Sequence, residues 1–575
     1  MCGIAAICAT RGDLPDTDRG ALERMAHALR FRGPDAHGIQ LTERLGLAHT
    51  RLAIVDLDER SNQPIQNDRW TLCYNGEIVN FRDLRTRLEG AYEFHTTSDT
   101  EVLLAALTVW GIEDTLPEIA GMFAFVARDR QTGDVYAVRD PLGIKPLFVS
   151  QRDDGAVVFA STVTAVCEAL PGPAPATDMR ALSSFFFLGA PFTRTTVAQG
   201  VDRVPPATCV HLAPDGTRTE RRYWRPRYTP DFTIDELVRI VREYQFADVP
   251  MALLLSGGVD STFLACATDN FDCFHLTSSE EPYAARVAER FGRTFHSVQP
   301  DLDVWEGDFH QALALHGEPL MSAGIPAAVS RKCVELGYKV ALSANGADEL
   351  FGGYSRIPMP ELGEITLPDY DKPPFRFFQD QFLHIFRHPD FMEFGKDFDD
   401  PVDLGDAAAE FLAECWLPDF PASASYRWFE LMSYVLHDLN PTLDAASMSH
   451  SLEVRVPFLD HRVVEGVLSM DAAQLLDGEL GRKKPLKEYI IPFMGKEFLE
   501  RHKLGFSIDQ DKLSNITKAV EDASWRLSPR AGVGIPLDDN NPNLHRDKAY
   551  VKSSLFAWGL WQDTQSNAPR STGHA

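Results

Sequence analysis

A cysteine stands second in the chain, in Met1-Cys2-Gly3-Ile4-Ala5-Ala6-Ile7. Removal of Met1 leaves Cys2 carrying both a thiol and a free α-amine. An ordinary thiol titrates near about 8.5 and an α-amine near about 7.7–8.0, so the amine can take the thiol proton close to neutral pH. Acyl transfer also needs donors for an oxyanion. Asn75-Gly76 offers a side-chain amide and a backbone N–H that glycine lets a substrate approach closely. An isolated Asn-Gly is more commonly a type I′ hairpin turn, and that use remains open here.

A second constellation lies in the middle of the chain. Ser256-Gly257-Gly258-Val259-Asp260-Ser261 follows the apolar run ending at Leu255 and precedes a helix expected from Thr262. Two glycines let successive backbone N–H groups converge, and the helix start adds its positive end. The result is an anion cradle that lacks the Gly-Lys-Ser/Thr of a Walker loop.

The elements that must position these residues change style along the chain. Short β-type runs dominate the first ~200 residues: Leu45–His49, Arg51–Val55, Trp70–Tyr74, and the pair Met122–Ala127 and Val135–Arg139 around Gln131-Thr132-Gly133-Asp134, a hairpin pattern. Helical stretches are expected at about 18–30, 81–89 and 99–110, giving a layered α+β unit. Turn-rich residues 200–227 read as a closing hairpin and linker. Beyond them, strands at Met251–Leu255, Phe271–Thr277 and Lys339–Ser343 alternate with helices, which implies a doubly wound parallel sheet. The C-terminal half is mostly helical by pattern, and residues after about 563 read as disordered.

Composition excludes several classes. The 575 residues call for two or three domains. A net charge of −27 argues against a nucleic-acid partner and against an anionic membrane surface. The strongest apolar cluster, Phe185-Phe186-Phe187-Leu188, is far short of a membrane span. No signal peptide is read at the start, and the 9 cysteines show no CxxC or Cys/His spacing. A cytoplasmic protein without structural zinc is expected.

Six blocks of the first half, Cys2-Gly3-Ile4, Arg30–Asp35, His49–Asp56, Tyr74–Ile78, Thr97–Glu101 and Arg139–Leu147, closely resemble the class II glutamine amidotransferase domain, an N-terminal-nucleophile fold. The resemblance implies an αββα sandwich over residues 1–226 in which Cys2 attacks the glutamine side-chain amide. Asn75 and Gly76 then hold the oxyanion, Arg51 pairs with the substrate α-carboxylate, and Glu77 and Asp99 receive its α-ammonium.

The loop Leu255-Ser256-Gly257-Gly258-Val259-Asp260-Ser261 resembles the pyrophosphate loop of ATP pyrophosphatases. Ser343-Ala344-Asn345-Gly346-Ala347-Asp348 and the blocks Ala446–Asp460 and Lys483–Lys487 resemble asparagine synthetases and their relatives. This implies an α/β ATP-pyrophosphatase domain over 227–575 with a largely helical C-terminal part. Leu255, Ser256, Gly257, Gly258, Asp260, Ser261, Ser343, Gly346 and Asp348 then bind ATP and pyrophosphate. Asp260 and Asp348 hold Mg2+, and Lys483 steadies charge on an acyl-adenylate. The implied partners are glutamine, ATP and a small carboxylic acid, with a homodimer left open as the assembly.

Two halves of this kind look like a glutamine-dependent asparagine synthetase with an ammonia channel between its sites. Departures from the family pattern fall on the acceptor side. Asn345 stands where the family's second signature carries a glutamate, Phe274–Glu280 is an altered version of the segment after the loop, and Thr442–Ala446 lacks the basic residues often found before Ser-Met. Aspartate is the default acceptor. A specialised carboxylic acid and a degenerate synthetase site are the alternatives. Sugar-phosphate amidotransferases have no use for Ser256–Ser261, and a tRNA-modifying pyrophosphatase calls for a basic surface.

Overall fold

The computed structural model describes residues 2–499, except 179, 183–184, 186–193, 300–301, 321, 356, 358, 363–410 and 412–413, together with Trp561. The segment after 563 and the cluster beyond Phe185 lie outside the described residues.

Strand alternation builds the first unit. One sheet has the order β10-β8-β9-β1-β3-β2 and the other β12-β11-β7-β6-β5-β4. The first contains β1 (Gly3–Cys8), β2 (Ala36–Leu41), β3 (Leu45–Arg51), β8 (Phe148–Gln151), β9 (Val157–Ala160) and β10 (Val201–Arg203). The second contains β4 (Ile65–Gln66), β5 (Trp70–Ile78), β6 (Gly121–Asp129), β7 (Val135–Arg139), β11 (Thr208–Leu212) and β12 (Arg218–Arg222). Every pairing in both is antiparallel.

Ile4, Ala6 and Cys8 of β1 meet Cys73, Ala124 and Val126 of the facing sheet in one core. The alternate residues Ala5 and Ile7 turn outward onto the helix Asp18–Leu29 through Leu22 and Met25. On the far face of the second sheet, Leu72, Tyr74 and Phe125 pack under the helices Phe81–Leu88 and Asp99–Thr115. Both faces of both sheets are therefore covered, which is the αββα sandwich expected from the sequence.

The second unit contains a parallel sheet of order β15-β14-β13-β16-β17. Its strands are β13 (Met251–Leu254), β14 (Asp272–Leu276), β15 (Phe295–Val298), β16 (Val340–Leu342) and β17 (Glu453–Arg455). The chain moves outward through β13, β14 and β15, then returns to β16 on the other side of β13. Adjacent parallel strands whose connections leave in opposite directions open a crevice at their carboxyl ends, where α/β folds bind ligands. The loops carrying Ser256 and Ser343 both leave from that point. The helix after the first loop spans Val259–Ala267 with Gly258 as its N-cap, three residues earlier than the expected start at Thr262. The strands β15 and β17 were not anticipated at all.

The two units are not separated by a polar gap. A single apolar cluster holds Leu52, Ile54, Val55, Met122 and Ile144 of the first together with Leu255, Ala347, Leu350 and Val456 of the second. No helix among the described residues is long and apolar enough to cross a membrane.

Candidate active sites

Cys2 leads into β1 and is buried beside Asn75 of β5. Its backbone N–H donates to Asn75 Oδ1 at 2.9 Å. That bond orients the Asn75 amide, whose Nδ2 is buried and has no hydrogen-bond partner. A buried amide donor without an acceptor costs about 1–3 kcal/mol, so it marks a position where an acceptor is wanted.

Gly76 follows in the interior of β5, facing Phe123 of β6, so the Asn-Gly pair is strand and not the hairpin turn that remained open above. A Cβ at Gly76 would come within 2.3 Å of the Met122 carbonyl oxygen, which leaves no residue but glycine there.

Arg51, Gly76, Glu77 and Asp99 share one pocket with Cys2, lined further by Ser61, Gln63, Tyr74, Ser98 and Glu453. Asp99 opens its helix and accepts from the Tyr74 hydroxyl at 2.7 Å and the Ile78 N–H at 3.1 Å. Burial pushes its carboxyl up, and those two donors oppose the rise. Glu77 Oε2 receives Arg455 at 2.8 Å, while its Oε1 is buried without a hydrogen-bond partner. Burial pushes Glu77 up as well, with Arg455 pulling the other way.

The Arg51 guanidinium faces the 55–62 loop. Nη1 donates to the Asp58 carbonyl and Asn62 Oδ1, each at 2.8 Å, and Nη2 donates to the Val55 and Asp56 carbonyls.

His49 of β3 lies in one of the sequence blocks, but burial drives it down to about 3 despite its contact with the Tyr74 carbonyl. It is neutral at working pH and too weak a base to ionise a thiol. Burial also pushes the Cys2 thiol up, against the positive chain terminus and the Leu52 N–H. A buried thiol of this kind calls for a base alongside it, and the α-amine of a processed Cys2 would stand on Cα, the carbon next to the one that bears the thiol.

At the crevice of the parallel sheet, Gly257 has φ +81, and a Cβ there would come within 2.7 Å of the Ala284 nitrogen. Ser256 Oγ accepts from the Gly258 N–H at 3.3 Å and lies 3.0 Å from Ser261 Oγ. Leu255 is held from two sides, its N–H on the Phe274 carbonyl and its carbonyl on His275 Nδ1, each at 2.8 Å. The other His275 nitrogen meets Ser278 Oγ at 3.1 Å, so the altered segment braces the loop.

Lys483 reaches in from the far end of the unit and places Nζ 2.7 and 2.6 Å from the Asp260 oxygens, with Asp348 on the same ammonium. Burial alone would lower Lys483, but Asp260 and Asp348 outweigh it and hold the lysine charged. Ser343 donates to Asn345 Oδ1 at 2.9 Å, and Gly346, with φ +87, caps the short helix Ala347–Leu350. Glu349 accepts from the Tyr354 hydroxyl at 2.9 Å, and burial pushes its carboxyl up to about 7. The predicted nucleotide residues thus converge on one cation-bearing crevice, apart from the glutamine pocket.

Four residues that tie the two units together beside the glutamine pocket received no role from the sequence. Arg32 Nε donates to the Cys2 carbonyl at 3.1 Å, and its two terminal nitrogens grip Asp444 at 2.6 and 3.0 Å. Burial pushes Asp444 up, but Arg32 holds it below the usual carboxylate range. Arg455, fully buried on β17, bonds Glu453 at 2.6 Å and the Tyr244 and Phe246 carbonyls at 3.0 and 2.6 Å, besides Glu77. Glu453 is held down to about 2: burial raises it, and the chain terminus, Arg455 and Lys145 lower it further. Each of these residues lies in or next to a block that the sequence singled out. The available signal was a charge alternating with apolar residues, as in Leu452-Glu453-Val454-Arg455-Val456.

Comparison with known proteins gives a consistent result. The glutamine amidotransferase domain family matches residues 1–224, and the asparagine synthase family matches residues 233–551. Glutamine-hydrolyzing asparagine synthetase 1 of Bacillus subtilis is 29% identical, with 88% of this chain and 87% of that protein covered. Asparagine synthetase 3 of the same organism is 30% identical over 81% of this chain and 80% of its own length. Asparagine synthetase 2 of Oryza sativa subsp. japonica is 30% identical over 62% of this chain and 60% of its own length.

Proposed function

The chain belongs to the asparagine synthase family and carries a glutamine amidotransferase domain ahead of its synthase domain, and from that premise we propose which residues do what. It is a glutamine-dependent amide-forming ligase, divided near residue 226 into a glutaminase half and an ATP-using half. Cys2 Sγ attacks the side-chain carbonyl carbon of glutamine while the Cys2 amine takes the thiol proton. Negative charge gathers on the carbonyl oxygen, and Asn75 Nδ2 and the Gly76 N–H receive it. The C–N bond breaks, the amine returns its proton to the leaving nitrogen, and ammonia departs. Water then cleaves the thioester to give glutamate. Glu77 and Asp99 bind the α-ammonium, and Arg51 supplies positive charge for the α-carboxylate.

In the second half, the Ser256–Ser261 loop cradles the phosphates. The acceptor carboxylate displaces pyrophosphate from ATP to form an acyl-adenylate, which ammonia converts to amide and AMP. Asp260 and Asp348 are hard oxygen donors already converging on one cation, the set that magnesium takes beside phosphates. Magnesium held there would supply charge neutralisation. Lys483 stabilises charge on the reacting adenylate. Ammonia that met bulk water would be protonated and lost as a nucleophile. The apolar cluster shared by the pocket residues Leu52, Ile54 and Val55 and the loop residues Leu255 and Ala347 favours a dry transfer.

Aspartate is the default acceptor, giving asparagine. Asn345 and the absence of basic residues over Thr442–Ala446 favour a specialised carboxylic acid as the second reading.

The Cys2–Asn75 bond, which leaves Nδ2 as an unclaimed donor, is the observation that carries the glutaminase assignment. The deciding experiment measures pyrophosphate release from ATP with glutamine across a panel of acids that includes aspartate. Release with aspartate establishes asparagine formation. Release with another acid alone removes it, and ADP as the nucleotide product removes the adenylation chemistry.

A further inference from the structure

Ser61 ends the short 3-10 turn Glu59–Ser61 and is 3% exposed. Its side chain lines the glutamine pocket, and its Oγ has no hydrogen-bond partner. A buried hydroxyl nearly always finds a partner in protein or ordered water, so one without a protein partner inside a substrate pocket points to a ligand or a water that the ligand displaces. We propose that Ser61 is a glutamine-positioning residue whose hydroxyl donates to the substrate α-carboxylate, an assignment that rests on the glutaminase reading above.

The surroundings of Ser61 decide which end of glutamine it meets. Arg51 bonds Asp58 and Asn62, the residues that flank the Ser61 turn, so the turn sits against the Arg51 guanidinium. The acids Glu77, Asp99 and Glu453 supply the charge that attracts the ammonium end. Arg51 lines the same pocket and brings positive charge to the carboxylate end, with its terminal nitrogens shared with the 55–62 loop. Their four N–H groups already go to the Asp58, Val55 and Asp56 carbonyls and to Asn62 Oδ1. A serine hydroxyl on the turn that Arg51 holds adds a directed donor to the charge that the guanidinium supplies.

The turn is rigid enough to present one. Gln63 next to it pairs with both backbone groups of Tyr74, accepting at 2.7 Å and donating at 3.1 Å. Arg51 clamps one side of the turn and Gln63 the other, which fixes Ser61 over the pocket at no further ordering cost.

The test is steady-state glutaminase kinetics of Ser61→Ala and Ser61→Thr with two substrates, glutamine and its α-carboxamide analogue. Loss of a hydrogen bond to a charged group is expected to raise the glutamine KM of Ser61→Ala about ten- to hundredfold, with kcat within about twofold. Ser61→Thr, which keeps the hydroxyl, restores KM. With the α-carboxamide the charge is gone, and the gap between Ser61→Ala and the parent protein shrinks toward unity. Synthesis driven by ammonium salt is unaffected in every variant. An unchanged glutamine KM in Ser61→Ala overturns the proposal, as does an equal penalty on both substrates, which is the mark of a purely structural serine. Failure of the parent protein to hydrolyse glutamine overturns the glutaminase reading, and the assignment with it.

Discussion

The glutamine pocket and the nucleotide crevice handle polarity in opposite ways. Around Cys2, polar atoms are left without partners: Asn75 Nδ2, Glu77 Oε1 and Ser61 Oγ are all buried and unmatched. Around Lys483, charges are matched internally, with one ammonium between the carboxylates of Asp260 and Asp348. The first site suits a small zwitterion whose groups complete existing half-bonds, and it keeps its shape when the ligand leaves. The second suits a polyphosphate with its metal, whose arrival exchanges one set of ion pairs for another. Preorganisation at the first and exchange at the second fit the chemistry of each, since an oxyanion exists only transiently while phosphates arrive fully charged.

That contrast can be broken most severely at the nucleophile. Cys2→Ala is expected to abolish glutamine-driven product formation while leaving ammonium-driven formation within about twofold, as read by pyrophosphate release. Loss of both would mean that the two sites are one. Asn75→Ala is next and should lower the glutaminase kcat about 10²–10³-fold, because the orphaned donor is aimed at charge that develops only in the transition state. An effect on KM alone would turn Asn75 into a ground-state contact.

Arg455→Met tests the seam. Removing the guanidinium strands Glu77 and Glu453 in a buried setting, and chemical denaturation should show a loss of about 3–5 kcal/mol. A neutral outcome would mean that the acids simply protonate and the pair is dispensable.

The smallest effect is expected from Glu349→Gln. Glu349 holds its proton up to about 7 in the fold against 4.5 unperturbed. The native state therefore binds more protons in that window, and stability falls as pH rises from about 4.5 to about 7. Glu349→Gln should remove that slope, at most about 3 kcal/mol across the window relative to the parent. An unchanged slope would place the ionisation elsewhere.

The sequence was most readable where burial has one cause. The hairpin around Gln131–Asp134 forms between β6 and β7 as expected, because both strands alternate over covered sheets. The helices expected near 18–30, 81–89 and 99–110 form as Asp18–Leu29, Phe81–Leu88 and Asp99–Thr115. It was least readable where burial comes from the other half of the chain. Arg455 looks like a solvated charge because its partner Glu77 lies across the seam, and the strand that it shares with Glu453 was missed. Gly258 was legible as a loop glycine, but its capping of the next helix from Val259 was not, since no polar side chain announces it. Cys2, Gly76, Glu77 and Asp99 gather in one pocket, while the partnership of Arg51 with the 55–62 loop depends on backbone carbonyls that carry no sequence signature.

β17 is only three residues long, yet it completes the edge of one domain's sheet and a wall of the other domain's cleft. The halves are consequently not interchangeable cassettes. A graft that swaps the front half onto a relative's rear half inherits a foreign wall behind its own nucleophile, and selection on either catalyst constrains the same three positions. Chimeras of this enzyme should tolerate crossovers after β12, beyond Arg222, only when the strand of Glu453 and Arg455 travels with the half that it faces.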